Sequence, residues 1–306
     1  MLFFMKNVFL TLALCASFSC MAQVFTVGSI DKVNIPLNSN AKVAAISPQG
    51  DYLLLTDCTN KGLAKFDLRT NATTTLSNAQ SAGYDVKISQ DGQTVVYREA
   101  TFTADHLRHV ALQATNVSTG SSQQLLAPTR NLQGVAVEGA TAAFVNKGKM
   151  RAKGLNATKA DVSAPVLSIS NRQLMITKNG KTSVFSPNGT DKSYIWESVS
   201  PDGSKALYFV MGHGTYVCNI DGTGLKKIGN MRAPKWWDNN TIVGMMDYDD
   251  GEAVYASTIV AADLNGNNQT LTDGSQIAMY PEVSPASGKI AFSTPAGEAY
   301  IINVTK

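Results

Sequence analysis

The chain is poor in the residues that most hydrolytic and metal centres use. Its 306 residues include three histidines, His106, His109 and His213, and four cysteines. These residues form neither the His-Glu-x-x-His nor the Cys-x-x-Cys spacing by which proteins commonly bind zinc. No Gly-x-Ser-x-Gly segment occurs, and no α/β region of ~200 residues is present to hold a catalytic triad. A fused serine peptidase is therefore excluded.

Excess charge and long hydrophobic runs are also scarce. The chain has 26 basic and 23 acidic residues, which gives a net charge of +3. An excess this small, spread evenly along the chain, argues against a nucleic-acid partner. After residue 22 no stretch approaches the ~18 uninterrupted apolar residues that a membrane helix needs. We therefore predict no transmembrane segment in the mature chain.

The N-terminus has the features of an export signal. Lys6 precedes an apolar stretch that runs to about Phe18 and is followed by small residues. This stretch is too short to span a bilayer and is typical of a secretory signal. We predict a signal peptide over residues 1–22 and one domain over 23–306, exported to the periplasm or cell envelope. A lipoprotein anchored through Cys20 is an alternative, although the Leu expected three residues before that cysteine is absent.

A short apolar strand that ends in Ser-Pro-Asp-Gly, or in a variant of it, recurs along the chain. Ser47 and Ser89 are 42 residues apart, and Ser200 and Ser284 are twice that distance apart. A fixed period of this size, built from strands, is typical of a β-propeller. Pro, Asp and Gly are also the residues that close short hairpin turns. The copies are Ser47-Pro48-Gln49-Gly50, Ser89-Gln90-Asp91-Gly92, Ser200-Pro201-Asp202-Gly203 and Ser284-Pro285-Ala286-Ser287-Gly288.

We therefore predict an all-β fold, a single β-propeller of four-stranded antiparallel blades with strands a to d lettered outward from the channel. The repeat fits five segments, and two further hairpins in the degraded stretch 132–189 bring the number of blades to seven. Six blades are the alternative if that stretch forms one irregular blade. The last repeat ends after its third strand. We predict that the N-terminal segment Phe25–Leu37 supplies the missing outer strand and closes the ring.

The Ser-Pro-Asp-Gly turn and the ending Asn219-Ile220-Asp221-Gly222 resemble the TolB-type propeller repeat. The C-terminal half, with Ala233-Pro234-Lys235-Trp236-Trp237, is similar to secreted propellers of the Bacteroidetes. The resemblance implies the propeller fold and an extracytoplasmic setting. It does not imply an activity, because one fold carries many functions.

Two cysteines of the mature chain are predicted to be buried free thiols. Cys58 follows an apolar strand, and Cys218 lies in a strand that we assign to a different blade. Strands of blades that are not neighbours lie too far apart for the short Cα separation of a disulfide.

Three groups of side chains are candidates for binding. An acidic run with a glycine resembles a calcium loop but lacks a Glu at the twelfth position. A solvated hairpin is the competing interpretation, so the sequence predicts either no cofactor or Ca²⁺. His106 and His109, at the polar insertion Thr101–Arg108, are assigned to a solvated loop, with a metal pair as the alternative. Trp236 and Trp237 are adjacent in a strand, so one should pack between blades and the other be freer. The candidate calcium ligands are Asp247, Asp249, Asp250 and Glu252, and the candidate ligand-contacting residues are Trp196, Glu197, His213, Trp236, Trp237, Tyr280 and Glu282.

Three functions remain open at this point. The first is a non-catalytic, monomeric propeller that binds a protein or peptide across one rim. The second is a carbohydrate-active enzyme, a lyase or glycosidase, with its site at the channel mouth. Two carboxylates from different blades, for example Asp202 and Glu282, could then act as acid and base. A structural role in an envelope complex is a third interpretation.

Overall fold

A computed structural model describes residues 23–35, 41–155, 159–160 and 164–306 of the chain. The predicted signal peptide and Cys20 lie outside these residues. In the described part, seven antiparallel sheets form a β-propeller, so the predicted fold is confirmed and the alternative of six blades is not observed. Each sheet is one blade, and we number the blades 1 to 7 in chain order.

The regular secondary structure consists almost entirely of β-strands. Blades 1 to 3 comprise β2 (Ala41–Ile46), β3 (Tyr52–Asp57), β4 (Leu63–Asp67), β5 (Thr73–Ser77), β6 (Lys87–Ile88), β7 (Thr94–Phe102), β8 (Arg108–Asn116), β9 (Ser122–Thr129), β10 (Leu132–Glu138), β11 (Thr141–Asn146) and β12 (Lys149–Gly154). Blades 4 to 7 comprise β13 (Val166–Ser170), β14 (Gln173–Lys178), β15 (Lys181–Val184), β16 (Tyr194–Val199), β17 (Lys205–Val210), β18 (Gly214–Asn219), β19 (Lys226–Gly229), β20 (Arg232–Trp236), β21 (Thr241–Asp249), β22 (Val254–Asp263), β23 (Asn268–Thr270), β24 (Met279–Ser284), β25 (Lys289–Ser293), β26 (Ala299–Thr305) and the N-terminal strand β1 (Thr26–Val33).

Blade 7 closes the ring in the predicted way. Its order is β1-β26-β25-β24, so the N-terminal strand pairs with the C-terminal one. The segment before β1 is fixed by Gln269 of blade 6, whose side-chain amide accepts from the backbone N–H of Val24 and Phe25 and donates to the Phe25 carbonyl at 2.8–2.9 Å. The Phe25 ring also packs edge-on against Trp237, with centroids 4.8 Å apart.

The hydrophobic core is divided among the blade interfaces rather than gathered at one centre. Each of the seven interfaces holds one cluster of buried apolar side chains. The cluster between blades 6 and 7 is large and includes Trp237, Phe292 and Phe25. The cluster between blades 3 and 4 is the smallest, with Ala143, Val145 and Val166 as its buried members. Apolar burial therefore stabilises the ring unevenly.

The Ser-Pro-x-Gly turns join strand a to strand b on one face of the ring, which we call the turn face. In the clearest turn the Gly203 N–H donates to the Ser200 carbonyl at 2.8 Å, and Gly203 has a φ of 75°, a conformation that favours glycine. Neighbouring turns touch: the Asp202 N–H donates to the Asn239 side chain at 3.0 Å, and the Ser284 hydroxyl donates to the Ser47 carbonyl at 2.7 Å. The strand b to strand c loops form the other face, the loop face.

Blade 4 is inverted relative to its neighbours. The start of β13 lies beside the end of β10, because the Ala164 N–H donates to Glu138. The middle of β13 lies beside the start of β10, because a Cβ placed on Gly134 would lie 2.5 Å from the Leu167 carbonyl oxygen. On the other side, the Tyr194 N–H at the start of β16 donates to the carbonyl of Arg172, beyond the end of β13. The inner strand β13 therefore runs antiparallel to both adjacent inner strands.

This inversion follows from strand number. Within the described residues, blades 3 and 4 have three strands each, whereas the other five blades have four. A blade with an odd number of strands ends on the opposite face from a blade with four. Two such blades in succession return the chain to its normal direction at β16.

Two details differ from the sequence-based expectations or extend them. Cys58 is exposed rather than buried, because β3 ends at Asp57 and Cys58 begins the following loop; Cys218 is buried as predicted, and both are unpaired. A further Ser-Pro-x-Gly turn, Ser186-Pro187-Asn188-Gly189, follows the third strand of blade 4 and so does not mark an inner strand. Among the described residues no helix has the length and apolar character of a membrane span.

Candidate functional site

The inner strands of several blades bulge at the same place, near the loop-face mouth of the channel. The pairing of strand a with strand b shifts register around Trp196 in blade 5, Ala233 in blade 6 and Tyr280 in blade 7. These three residues, and Asp85 before β6, have φ between 47° and 55°. A residue other than glycine in this conformation costs on the order of 1–3 kcal/mol, and such positions cluster at functional sites. The bulges therefore mark the channel mouth as a candidate site.

Three aromatic rings of the mouth, two at these bulges and one just before Asp85, each carry a cation over one face. Lys42 lies 5.0 Å from the Tyr280 centroid, Arg98 lies 5.4 Å from that of Tyr84, and Arg232 lies 5.8 Å from that of Trp196. Cation–π pairs of this geometry contribute ~0.5–2 kcal/mol depending on exposure. The Lys42–Tyr280 pair joins blades 1 and 7, the Arg98–Tyr84 pair lies at blade 2, and the Arg232–Trp196 pair joins blades 6 and 5. The pairs are therefore distributed around the mouth.

Arg98 and Asp85 form an ion pair of the mouth in which the cation is buried. The Arg98 side chain is 7% exposed, and its Nη1 donates to Asp85 Oδ2 at 2.9 Å and to the carbonyls of Tyr84 and Asp85. Lys87 Nζ also contacts Asp85, at 2.5 Å. Burial by itself would raise the pKa of Asp85, but Lys87 and Arg98 outweigh it and lower that pKa. Asp85 is therefore ionised at neutral pH.

Two further ion pairs join neighbouring positions of the mouth. Arg232 Nη1 lies 2.7 Å from Oδ2 of Asp247, whose side chain is 3% exposed and whose other oxygen, Oδ1, has no hydrogen-bond partner within the described part of the chain. Lys235 of blade 6 donates to Oε1 of Glu282 in blade 7 at 2.6 Å. Burial raises the pKa of Glu282, although Lys235, Lys87 and Lys42 all oppose that rise. Lys235 therefore contacts this carboxylate directly, and Lys87 and Lys42 act on it electrostatically from blades 2 and 1.

Glu197 is the carboxyl group of this region that lacks an ion pair among the described residues. Burial raises its pKa to about 7, with a smaller contribution from Asp85, while Lys87 and Arg98 oppose the rise. A carboxyl group with a pKa near neutrality can hold or release a proton under physiological conditions.

A cavity of about 430 Å³ lies at the turn-face side of Glu197, between blades 3, 4 and 5. Lys87, Glu197 and Ser198 line it together with apolar side chains, for example Val135 and Leu167, and with the charged side chains of Glu138, Lys178 and Asp202. The Ser198 hydroxyl is buried without a hydrogen-bond partner among the described residues. The volume is in the range of small-molecule sites, about 300–1,000 Å³.

The structure brings some predicted ligand-contacting residues together and separates others. Trp196, Glu197, Tyr280 and Glu282 lie at or in the channel. His213 is exposed in the loop between β17 and β18, where its backbone N–H donates to the Val210 carbonyl. Whether any of these residues contacts a ligand stays a prediction.

The expectation that one of the two adjacent tryptophans is freer is wrong. Trp236 and Trp237 are 8% and 7% exposed. Strand β20 ends at Trp236, so the alternation of faces does not continue to Trp237, which is covered by Phe25 of the N-terminal segment.

The acidic run of blade 6 uses its carboxylates within the protein. Asp247 is paired with Arg232, Asp249 accepts from the Gly251 N–H at 3.1 Å, and Asp250 accepts from the N–H groups of Glu252 and Ala253 at 3.0 and 2.9 Å. The described residues contain no group of three or more His, Cys, Asp or Glu side chains placed to hold a metal. Calcium binding here remains a prediction, as does a metal pair of His106 and His109.

The suggested acid and base pair lies in different surroundings. Asp202 belongs to a turn on the turn face, where the hydroxyls of Ser200 and Ser204 donate to it and lower its pKa to about 2. Glu282 lies in the channel and is held by Lys235.

The cations of the channel were missed by the sequence analysis. A signal was nevertheless present, because Lys87, Lys235 and Glu282 occupy the same place in their repeats, two residues before the turn residues Ser89, Trp237 and Ser284. A charged residue at this place in an otherwise apolar inner strand points toward the channel edge. Lys42 and Arg98 do not occupy this place in a repeat, so no comparable sequence signal identifies them.

Comparison with known proteins supports the fold and identifies no family. No family model and no curated protein matches the chain. A chain of the mitotic checkpoint complex is 10% identical, with a TM-score of 0.58 over 100% of this chain and 98% of that one. The Cps50 (Swd1) β-propeller of Myceliophteria thermophila is 11% identical, with a TM-score of 0.58 over 90% and 100%. An oligogalacturonate lyase in complex with manganese is 17% identical, with a TM-score of 0.46 over 85% and 76%. The similarity to the first two structures, at 10% and 11% identity, is evidence of a shared propeller architecture and of nothing further.

Proposed function

We propose that this protein is a non-catalytic propeller that binds a peptide segment of a protein partner on its loop face, over the channel mouth. The observation that carries the proposal is the position of the exposed apolar side chains. Eight large hydrophobic side chains are exposed in the described residues. Five of them lie on the loop face: Tyr84, Phe102, Met211, Tyr248 and Tyr255.

The chemistry of the mouth supports the same function. Aromatic side chains and Met are enriched at the centre of protein interfaces, and a patch of exposed apolar groups commonly marks such a site. The loops of the loop face surround the aromatic and cationic pairs of the mouth. A bound segment would therefore meet apolar groups at the edge and hydrogen-bonding cations at the centre.

Selection from a random peptide library on the immobilised protein tests the proposal. Peptides that bind should lose at least tenfold in affinity for a Tyr248→Ser/Tyr255→Ser variant, measured by calorimetry. A Leu225→Ser variant is the matched control, because Leu225 is also exposed but lies on the turn face. Equal losses in both variants, or no selected peptide, would contradict the proposal.

A second candidate function, a lyase or glycosidase, is favoured by Glu197. Enzymes of this class need a carboxyl group that is protonated near neutral pH, and burial gives Glu197 a pKa of about 7. Incubation of the purified protein with a panel of plant and bacterial polysaccharides, followed by detection of released oligosaccharides, tests this function. Release that is lost in a Glu197→Gln variant would favour the enzyme over the binding propeller.

We also propose an exported location, which rests on the N-terminal sequence. N-terminal sequencing of the protein from cell fractions should find Gln23 first, outside the cytoplasm. An intact Met1 or Met5 in the cytosol would contradict export, and a lipid on Cys20 would favour the lipoprotein.

A further inference from the structure

One cation of the channel has no ion pair among the described residues. Five cations, Lys42, Lys87, Arg98, Arg232 and Lys235, are positioned there. Four carboxylates form ion pairs with four of them: Asp85 with Arg98 and Lys87, Asp247 and Asp249 with Arg232, and Glu282 with Lys235. Lys42 and the carboxyl group of Glu197 form no ion pair within the described residues.

Lys42 is the cation of this set whose direct partner is neutral. Its Nζ donates to the side-chain carbonyl of Asn60 at 2.8 Å and lies over the face of Tyr280. The charged groups within electrostatic reach are Glu282 and Asp57, which favour its charge, and Lys235, which opposes it. Asp57 is itself occupied by the N–H groups of Thr59 and Lys61. Burial dominates these effects and lowers the pKa of Lys42.

A cation in this setting gains from an added anion. A partly buried charge without an ionised partner is costly, and a carboxylate at hydrogen-bond distance offsets that cost. Lys235 contacts Glu282 directly, and Lys87, which is paired with Asp85, acts on the same carboxylate electrostatically. A second carboxylate there would be attracted by all three lysines.

We propose that the channel mouth binds the carboxylate of an acidic peptide, with Lys42 Nζ as its principal contact and Lys235 and Lys87 as flanking charges. This inference rests on the proposed function and deepens it, because it gives the peptide segment its chemical class. The segment places an Asp, a Glu or a terminal carboxylate beside Lys42. The apolar groups of the loop face contact the residues on either side of it.

Calorimetric titration of the full chain with tetra-glutamate at low ionic strength tests the inference, with tetra-glutamine and tetra-lysine as comparison peptides. Tetra-glutamate should bind at least tenfold more tightly than either comparison peptide, and a Lys42→Met variant should lose at least tenfold. Met retains the apolar stem over Tyr280. Lys65→Met is the matched control, because Lys65 Nζ lies 5.1 Å from the ring centroid of Tyr52 in blade 1 without belonging to the channel.

Loss of binding in Lys42→Met could also result from misfolding, so a second variant is chosen that should bind tetra-glutamate more tightly. Glu282→Gln removes the carboxylate that competes for Lys235, so tetra-glutamate should bind this variant several-fold more tightly. Equal affinity for tetra-glutamate in wild type, Lys42→Met and Lys65→Met would overturn the inference. Preference for tetra-lysine, or weaker binding to Glu282→Gln, would also overturn it.

The inference and the proposed function fail in different ways. If library peptides that depend on Tyr248 and Tyr255 are neutral or basic and insensitive to Lys42→Met, peptide binding stands and the acidic anchor is wrong. If no peptide binds but glutarate binds and depends on Lys42, the anion site stands and the peptide function is wrong.

Discussion

At the scale of single residues, Glu197 carries a carboxyl group that responds to pH near neutrality. Its folded-state pKa of about 7 lies above the ordinary value of about 4.3, so the folded state binds the proton more tightly than the unfolded state. Stability is therefore highest below the ordinary pKa and falls as the pH rises through this window. The full cost, reached above pH 7, is on the order of 3 kcal/mol.

Replacement of Glu197 by Gln should remove this pH dependence. We expect Glu197→Gln to stabilise the protein by up to about 3 kcal/mol at pH 8 and to change stability little at pH 4.5, measured by urea unfolding. Glu298→Gln is a suitable control because its contact with Lys32 lowers the pKa of Glu298, so this substitution should not stabilise at pH 8. An equal effect of Glu197→Gln at both pH values would show that the carboxyl group is not perturbed in this way.

Arg98 is the residue that holds the segment before β6, in which Asp85 has a φ of 50°. It bonds the Asp85 carboxylate and two backbone carbonyls while almost fully buried. We expect Arg98→Ala to cost about 3 kcal/mol of unfolding free energy, because three acceptors lose their donor and a large side chain leaves a void. Arg108→Ala removes an exposed arginine that donates to the Ser81 hydroxyl, and this substitution should cost less than about 0.5 kcal/mol. Similar costs for both variants would contradict a structural role specific to Arg98.

At the scale of elements, the N-terminal segment is held to blade 6 by two separate contacts. Gln269 satisfies three backbone groups of Val24 and Phe25, and the Phe25 ring covers Trp237. Ring closure therefore depends on residues that precede β1 as well as on the pairing of β1 with β26.

Loss of either contact should weaken closure. We expect Phe25→Ala to cost about 3–5 kcal/mol and Gln269→Ala about 1–3 kcal/mol in chemical unfolding. Ser29→Ala, in the exposed part of β1, should stay within about 0.5 kcal/mol. If Phe25→Ala is as mild as Ser29→Ala, the N-terminal segment does not contribute to closure.

At the scale of the whole molecule, the ring has one weak sector. Blades 3 and 4 have three strands each in the described residues, and the interface between them buries the smallest apolar cluster. Regions with few buried apolar contacts open at lower free energy than the rest of a protein.

Hydrogen exchange should locate this sector. We expect the amides of β14 and β15 to exchange at least tenfold faster than those of β3 and β21, which belong to four-stranded blades with larger interfaces. Mass spectrometry of peptic fragments measures the difference. Uniform protection around the ring would mean that the interfaces are equally stable.

The repeat made much of this architecture predictable, and particular residues show where prediction stopped. The turns at Ser47, Ser89, Ser200 and Ser284 mark four inner strands, because Pro and Gly impose local backbone angles that need no distant partner. The turn at Ser186 uses the same local chemistry but follows an outer strand. Blade 4 could therefore be counted from sequence, whereas its inverted direction could not.

The candidate site was only partly predictable for the same reason. Glu197, Trp196, Tyr280 and Glu282 were identified as aromatic and acidic residues near the turns. Lys42 is 240 residues from Glu282 in sequence, and Arg98 belongs to a second strand rather than an inner one. Their convergence depends on ring closure and on the bulges, neither of which is a local property.

The sequence by itself determined the propeller, its seven hairpins and its closure by the N-terminal strand, because strand periodicity and turn chemistry act over a few residues. Tertiary structure decided which side chains meet in the channel, which tryptophans are buried and which face exposes apolar groups. These features depend on the packing of blades that are distant in the chain. Burial and neighbouring groups, rather than residue type, then set the protonation of Glu197 and leave Lys42 with a neutral direct partner.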